Sequence, residues 1–242
     1  MRILYQLTSP MDKTVGPQEV ARRQKVLHSH AAAGTEVVAE PTAKGPAAIE
    51  SGHDAGLVVP ELIRLAPLAE KRGYDAIIIG CYSDPGLDAL REMLTIPALG
   101  PGAASLHLAA QLGTRIAVLT PSGRGYGRVA ARLRSLGIAP LLASVRGIGL
   151  SVMDLAKQTP GALDKAAEAA RLAVEQDGAD VLVLGCMSMA FLPGICEELG
   201  KRVGVPVVNP VIAALKTAEA VVAMKLSHSK AAWPLPKPQE MV

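Results

Sequence analysis

Two stretches of the chain, 75–82 (DAIIIGCY) and 180–187 (DVLVLGCM), align without a gap. Each consists of an aspartate, four aliphatic residues, a Gly-Cys pair and one further residue. Continuous aliphatic runs of this length are typical of strands buried on both faces, which occur in parallel sheets covered by helices. The repeat therefore restricts the chain to an α/β fold and indicates that one structural unit occurs twice.

The residues around the repeat extend this pattern. Further strand-like runs lie at 3–7, 36–40, 96–99, 115–120 and 205–208. Ala-rich amphipathic segments lie between the strands, at 17–33, 59–72, 86–94, 102–112, 124–136 and 161–177. Strands that alternate with helices predict parallel sheets. We therefore predict two pseudo-symmetric α/β domains, each a mostly parallel sheet flanked by helices, with the active site in the cleft between them.

The repeat places Cys81 and Cys186 at the carboxyl ends of two equivalent strands, which is where ligands bind in open parallel sheets. A lone cysteine at such a place is more often part of the core. Matched positions in two halves instead predict that the two thiols face each other across one cleft. Inversion of a carbon with an acidic hydrogen needs a base on one face and an acid on the other, and a thiolate and a thiol supply both. A redox dithiol is the chemical alternative, but the chain has no C-x-x-C motif.

The residues after each cysteine are expected to shift the pKa of its thiol. Asp84, which precedes Pro85, is interpreted as the N-cap of the following helix, so that Cys81 would lie near the positive end of that helix. Ser188 is expected to play the same part beside Cys186.

Composition and motifs argue against several other classes. No apolar run approaches the length of a membrane span and the N-terminus lacks a signal peptide pattern, so we expect a cytoplasmic protein. The net charge is only +3 and the chain has no nucleic-acid-binding motif, so we do not expect it to bind DNA or RNA. The histidines and the third cysteine, Cys196, do not have metal-site spacing. Two basic clusters, Arg22–Lys25 and Arg124–Arg134, remain, and the second is interpreted as a solvated helix face. Whether the turn at Gly123–Gly127 binds an anion is left open.

Several motifs resemble those of the Asp/Glu/hydantoin racemase superfamily, and within it the hydantoin racemase branch. GPAAIESGHD at 45–54, GCYSDPGLDALRE at 80–92 and VLGCMSMAFL at 183–192 are similar to segments of that branch, as are PVVNPVIAALKTAEA at 206–220 and the tail at 226–236. Two loops depart from the pattern of this branch. They are Gln6–Pro10, after the first strand, and Thr120–Ser122, after the fifth.

The resemblance implies a cofactor-independent racemase with two bases, in which Cys81 and Cys186 are the catalytic pair. The residues expected to contact substrate are Gln6, Ser9, Tyr82, Ser83, Thr120, Met187 and Ser188. No cofactor and no metal are implied. The family also implies that the chain crosses between domains, giving a first domain of residues 1–98 plus 210–242 and a second of residues 99–209.

The substrate expected from the resemblance is a 5-substituted hydantoin or a related cyclic ureide such as allantoin. Three alternatives stay open: an amino-acid racemase of the Asp/Glu type, a related decarboxylase or isomerase, and a non-catalytic small-molecule binding protein. As partners we expect a small-molecule substrate and further copies of the chain in a homo-oligomer, without nucleic acid or membrane.

Overall fold

The computed structural model describes residues 1–237, which form two four-stranded parallel sheets. The first sheet has the strand order β2-β1-β3-β4 and the second β6-β5-β7-β8. The strands are β1 Arg2–Leu7, β2 Glu36–Glu40, β3 Ala76–Gly80, β4 Ala98–Leu99, β5 Ile116–Thr120, β6 Leu142–Gly147, β7 Val181–Leu184 and β8 Val207–Val208. The two sheets share one order when each is counted from its own first strand, which confirms the predicted pseudo-symmetric α/β fold.

Helices connect the strands. They are α1 Met11–Thr14, α2 Pro17–His30, α3 Gly52–Lys71, α4 Leu87–Met93, α5 Pro101–Leu112, α6 Tyr126–Ser135, α7 Val152–Ala156, α8 Ala162–Glu175, α9 Met187–Ala190, α10 Ile195–Val203 and α11 Pro210–Ala223, with a 3-10 turn at Ala139–Leu141. Helix α8 buries alanines against the second sheet, where small side chains let the helix approach the strands closely. No helix within residues 1–237 is both long enough and apolar enough to cross a membrane.

Helix α11 packs against α5 and against β3 of the first sheet. The domain boundaries given above, 1–98 plus 210–242 and 99–209, stay a prediction. Residues 238–242 of the first of these domains lie outside the described part of the chain.

Two elements differ from the sequence prediction. Helix α3 begins at Gly52 rather than near residue 59, because Ser51 and Asp54 form a reciprocal capping box and the helix accommodates Pro60. Strand β6 was not predicted. It is an edge strand with partly exposed residues, so it lacks the continuous aliphatic run of its neighbours.

The aspartate that begins each repeat ties its strand to the first strand of the same sheet. Asp75 accepts a hydrogen bond of 2.7 Å from the backbone N–H of Arg2. Asp180 accepts one of 2.8 Å from the backbone N–H of Arg115, and further bonds from the backbone and hydroxyl of Thr114. The repeated aspartate is therefore a structural residue in both halves.

We expect Asp180→Ala to lower the free energy of unfolding by about 1–2 kcal/mol, since the bonds to a partly solvated carboxylate are lost. Burial alone would raise the pKa of Asp180, but the hydrogen bonds from Thr114 and Arg115 outweigh it and hold this pKa below its usual value. The stabilisation is thus complete above about pH 4 and disappears as the pH falls through the lowered pKa. Urea unfolding at pH 7 and pH 3 measures the difference, with the exposed Asp164→Ala as control. An equal loss at both pH values would contradict the assignment.

Candidate active site

A cavity of about 310 Å³ lies where the carboxyl ends of the two central strands of each sheet come together. Its wall is formed by the residues that end or follow β1, β3, β5 and β7, namely Leu7–Ser9, Gly80–Ser83, Thr120–Ser122 and Gly185–Ser188. Both halves of the chain therefore contribute equivalent segments to one cavity. Cys81 and Cys186 both line it.

The glycine before each cysteine is required by the close approach of the neighbouring strand. A Cβ atom at Gly80 would lie 2.7 Å from the carbonyl oxygen of Gln6. At Gly185 a Cβ atom would lie 2.7 Å from Val118 Cγ1 and 2.9 Å from the carbonyl oxygen of Leu119. All three distances are below van der Waals contact. The Gly-Cys pair thus places each thiol directly beyond a strand that packs tightly on its neighbour.

The two thiols have different immediate partners. The sulfur of Cys81 lies 3.2 Å from the hydroxyl oxygen of Ser83. Cys186 is the N-cap of the short helix α9, and the backbone N–H groups of Ser188 and Met189 approach its sulfur. Only Cys186 therefore has the predicted position at the start of a helix.

Burial raises the pKa of both thiols. At Cys186 it raises the pKa to about 11, although the backbone N–H groups and Arg23 act in the opposite direction. At Cys81 burial also raises the pKa, and the hydrogen bond from Ser83 opposes it. The prediction that a helix N-terminus lowers the pKa of Cys81 is wrong, because α4 begins at Leu87, six residues further along the chain.

Asp84 does not cap α4, whose N-cap is Gly86. Its carboxylate instead accepts hydrogen bonds of 2.9 Å from the backbone N–H groups of Gly102 and Ala103, at the start of α5. It also forms an ion pair with Arg132 of α6. Asp84 has a φ of 48°, in the left-handed region that aspartate tolerates better than most residues. The local sequence suggested a cap for the next helix, but the carboxylate instead joins the segment after Cys81 to the start of α5 and to α6.

Six of the seven residues expected to contact substrate line the cavity: Ser9, Tyr82, Ser83, Thr120, Met187 and Ser188. Gln6 is not among the lining residues. It is 2% exposed, and its side-chain amide donates hydrogen bonds to the carbonyl oxygens of Glu40 and Leu7. Successive side chains of a strand point to opposite faces, and Leu7 is the neighbour that reaches the cavity.

Arg23 is a lining residue that the sequence analysis left unassigned in a basic cluster. It is 2% exposed, pairs with Glu19 at 2.8 Å and donates a hydrogen bond of 3.0 Å to Ser188 Oγ. Its guanidinium lies over the ring of Phe191. The spacing of Glu19, Arg23 and Leu27 could have revealed it, because residues four apart share a helix face and Leu27 is apolar.

The mouth of the cavity carries further charge. Arg124 and Arg128 line it and are both exposed, as the interpretation of their cluster as a solvated face predicts, whereas Arg132 of the same cluster is partly buried and pairs with Asp84. Arg128 donates a 3.4 Å hydrogen bond to the carbonyl oxygen of Glu50. The carboxylate of Glu50 accepts one of 2.7 Å from the backbone N–H of Val152. Neither Arg124 nor Arg128 has a salt-bridge partner among residues 1–237.

Two tyrosine hydroxyls are buried beside the thiols without a protein hydrogen-bond partner in the described part of the chain. One belongs to Tyr82, which lines the cavity, and the other to Tyr5 on β1. Burial raises the pKa of both phenols, so both remain protonated donors. Within residues 1–237 no group of three or more His, Cys, Asp or Glu side chains is arranged to hold a metal ion. The cavity thus offers two thiols, hydroxyl donors and cationic side chains to a small molecule.

Comparisons with known proteins agree with this architecture. The sequence profile of a family described as Asp/Glu/hydantoin racemase matches residues 20–218. A hydantoin racemase of Paenarthrobacter aurescens is 35% identical over 201 residues, which cover 83% of this chain and 84% of that protein. The solved structure of an allantoin racemase from Klebsiella pneumoniae has a TM-score of 0.90 and 27% identity, with 100% of this chain and 96% of that one covered. The allantoin racemase of Pseudomonas fluorescens has a TM-score of 0.88 and 30% identity, with 100% of both chains covered.

Proposed function

The chain belongs to the Asp/Glu/hydantoin racemase family and is an isomerase, and from this premise we propose that it racemises 5-substituted hydantoins or a closely related cyclic ureide such as allantoin. The reaction centre is the ring carbon next to a carbonyl. The observation that carries the proposal is the presence of two equivalent Gly-Cys pairs on the wall of one cavity. The relatives named above supply the substrate class.

In the proposed mechanism the thiolate of one cysteine removes the proton from C5 of the ring. The electron pair left on carbon moves into the adjacent carbonyl, whose oxygen becomes the enolate oxygen. The thiol of the other cysteine then donates its proton to the opposite face of C5, and the carbonyl re-forms. The product is the other enantiomer, and the two sulfurs have exchanged protonation states. The reverse reaction uses the same groups in exchanged roles, which suits two pseudo-equivalent thiols.

Hydrogen-bond donors near the carbonyl stabilise the enolate oxygen in the transition state. Tyr82 lines the cavity and has a buried hydroxyl, and Ser83 and Ser188 each lie two residues after a cysteine. We propose that these residues and Ser9, Thr120 and Met187 hold the ring. No step requires a group from outside the chain, so no cofactor is needed.

The test is a substrate panel in D₂O without added cofactor. Single enantiomers of allantoin and 5-benzylhydantoin should lose optical rotation faster than in protein-free buffer of the same pH, with one deuterium incorporated at C5. If the protein accelerated the loss of optical rotation of neither compound, the proposal would be contradicted. Binding without exchange would indicate a binding protein, and release of carbon dioxide from an α-carboxylated substrate would indicate a decarboxylase.

A second candidate is racemisation of an acidic amino acid, and one observation favours it. Arg124 and Arg128 present guanidinium groups at the cavity mouth that have no carboxylate partner within residues 1–237. Guanidinium groups bind carboxylates well. L-aspartate, L-glutamate and 5-(2-carboxyethyl)hydantoin therefore belong in the panel. Turnover of the hydantoin alone would indicate that the arginines bind the carboxylate substituent of the ring. Turnover of the amino acids would instead replace the leading proposal.

The pH dependence should reflect the raised pKa of the thiols. Because burial raises the pKa of Cys186 to about 11, the thiolate fraction is small at pH 7 and grows about tenfold per pH unit below that value. We therefore expect enzymatic kcat/KM to rise between pH 7 and pH 9, after subtraction of the spontaneous rate. It should fall again when both thiols are ionised. A maximum below pH 7 would contradict this assignment.

A further inference from the structure

Each half of the molecule sends an arginine to the segment that follows the cysteine of the other half. Helix α2 comes after the first strand of the first sheet, and its Arg23 donates to Oγ of Ser188, two residues after Cys186. Helix α6 comes after the first strand of the second sheet, and its Arg132 donates to the carbonyl oxygen of Ser83, two residues after Cys81. The contacts are reciprocal and obey the pseudo-symmetry of the fold.

The charges around these two contacts differ between the halves, although the backbone is pseudo-symmetric. On the Cys186 side, Arg22 and Arg23 share the single carboxylate of Glu19, at 2.7 Å and 2.8 Å, so the cluster carries a net charge of +1. Arg22 also donates a 2.6 Å hydrogen bond to the carbonyl oxygen of Phe191. Both guanidiniums are thereby fixed on the segment that begins at Cys186.

On the Cys81 side the corresponding charges cancel. Arg132 pairs with Asp84, whose side chain is 1% exposed. A buried carboxylate three residues from Cys81 therefore neutralises the arginine that reaches its segment. A nearby cation favours the thiolate form of a cysteine and a nearby carboxylate disfavours it, so this difference separates the two thiols.

We propose, on the basis of the proposed function, that Arg23 is a positioning residue that makes Cys186 the first of the two thiols to lose its proton. In the form of the enzyme that has lost one thiol proton, Cys186 is then the base and Cys81 the acid. The pseudo-equivalent cysteines are chemically inequivalent, and the shared carboxylate of Glu19 is the reason.

The other charged and titratable groups around Cys186 are compatible with this assignment. Tyr5 faces both thiols from β1 and is neutral, since burial raises the pKa of its phenol. Burial raises the pKa of both thiols. Arg23 opposes this effect at Cys186, whereas at Cys81 the lowering by Arg132 is opposed by Asp84, which raises the pKa. The remaining charged groups on the cavity wall are Glu50, Arg124, Arg128 and Arg132.

The test measures thiol reactivity rather than turnover, so its result does not depend on the substrate. Only the thiolate reacts with iodoacetamide, so the alkylation rate reports ionisation. The rates at Cys81, Cys186 and Cys196 are followed between pH 6 and pH 10 by mass spectrometry of peptides. We expect Cys186 to react at lower pH than Cys81. In Arg23→Gln its rate at pH 8 should fall about tenfold while that of Cys81 changes less than about twofold.

The chain offers well-matched comparison variants. Arg23→Gln leaves Glu19 paired with Arg22, so no carboxylate is left without a cation. Arg23→Lys keeps the charge and should restore the rate to within about threefold. Glu19→Gln raises the cluster charge and should accelerate alkylation of Cys186 alone. A loss of folding would expose all three cysteines, so the rates at Cys81 and Cys196 should stay unchanged in this variant. Arg171→Gln, which removes a paired arginine on the distant helix α8, should change nothing.

The proposal is overturned if Cys81 reacts at lower pH than Cys186 in the unmodified protein. It is also overturned if the Cys186 profile is the same in Arg23→Gln and Glu19→Gln. A protein that shows the expected alkylation profile but racemises no hydantoin would retain this inference and lose the proposed substrate.

Discussion

Replacement of either Cys81 or Cys186 by serine is expected to lower the rate of hydantoin racemisation by about 10³-fold, within the range that a positioned acid or base contributes. A serine hydroxyl keeps its proton at the pH at which a thiol ionises, and it therefore supplies no base. The two single variants should differ in an informative way. Each retains one thiol, which can still exchange the C5 proton of one enantiomer without inverting it. Deuterium uptake should therefore persist for opposite enantiomers in Cys81→Ser and Cys186→Ser, while the enzymatic loss of optical rotation slows by this factor in both.

The control for this experiment is Cys196→Ala. Cys196 lies on α10, is only partly buried and does not line the cavity. Its replacement should leave racemisation unchanged. If both serine variants lost optical rotation at the rate of the unmodified protein, the two-thiol mechanism would have to be abandoned, whatever the substrate.

Asp84→Ala should cause the largest loss of stability among the single changes considered. The carboxylate is buried between the start of α5 and Arg132, and removing it leaves a partly buried guanidinium and two backbone N–H groups without their acceptor. Breaking a buried ion pair by removing one partner costs about 3–5 kcal/mol. Alanine also tolerates the left-handed φ of this position less well than aspartate. Because Asp84 anchors the segment that carries Cys81, activity should fall even where the variant remains folded.

Asp88→Ala is the matched control for this change. Asp88 lies four residues further along, is 79% exposed and pairs with Arg91 only at 3.4 Å. Its loss should change the free energy of unfolding by less than about 0.5 kcal/mol. Guanidinium chloride unfolding of the two variants measures the contrast. Equal stabilities would show that Asp84 does not join the three segments as its contacts indicate.

The sequence predicted the strands of the central sheets well because they are continuous aliphatic runs that need no tertiary context. The aligned repeat at 75–82 and 180–187 also predicted that Cys81 and Cys186 share one cavity, since equivalent strand ends meet in a pseudo-symmetric fold. Strand β6 escaped prediction because an edge strand with one partly solvated face has a weak pattern.

The charged part of the site could not be predicted in the same way. Arg23 belongs to a run of basic residues that is typical of a solvated surface, and only its pairing with Glu19 makes its burial tolerable. Asp84 stands before a proline, where local rules favour a helix cap, but its partners are 18 and 48 residues distant in the chain. Side chains whose roles depend on such long-range contacts leave little local signal.

The reciprocal arginines also bear on why such a site is built from a single chain. A homodimer of identical halves would be degenerate: the arrangement with the proton on one sulfur would have the same energy as its counterpart, and neither could be favoured. Fusion of the halves removes this constraint, because Glu19 and Asp84 occupy non-corresponding places. The backbone can then remain approximately twofold symmetric while the charged residues are arranged asymmetrically. A covalent duplicate thus gives the enzyme two similar thiols of which one ionises first, while each turnover still passes the proton from one to the other.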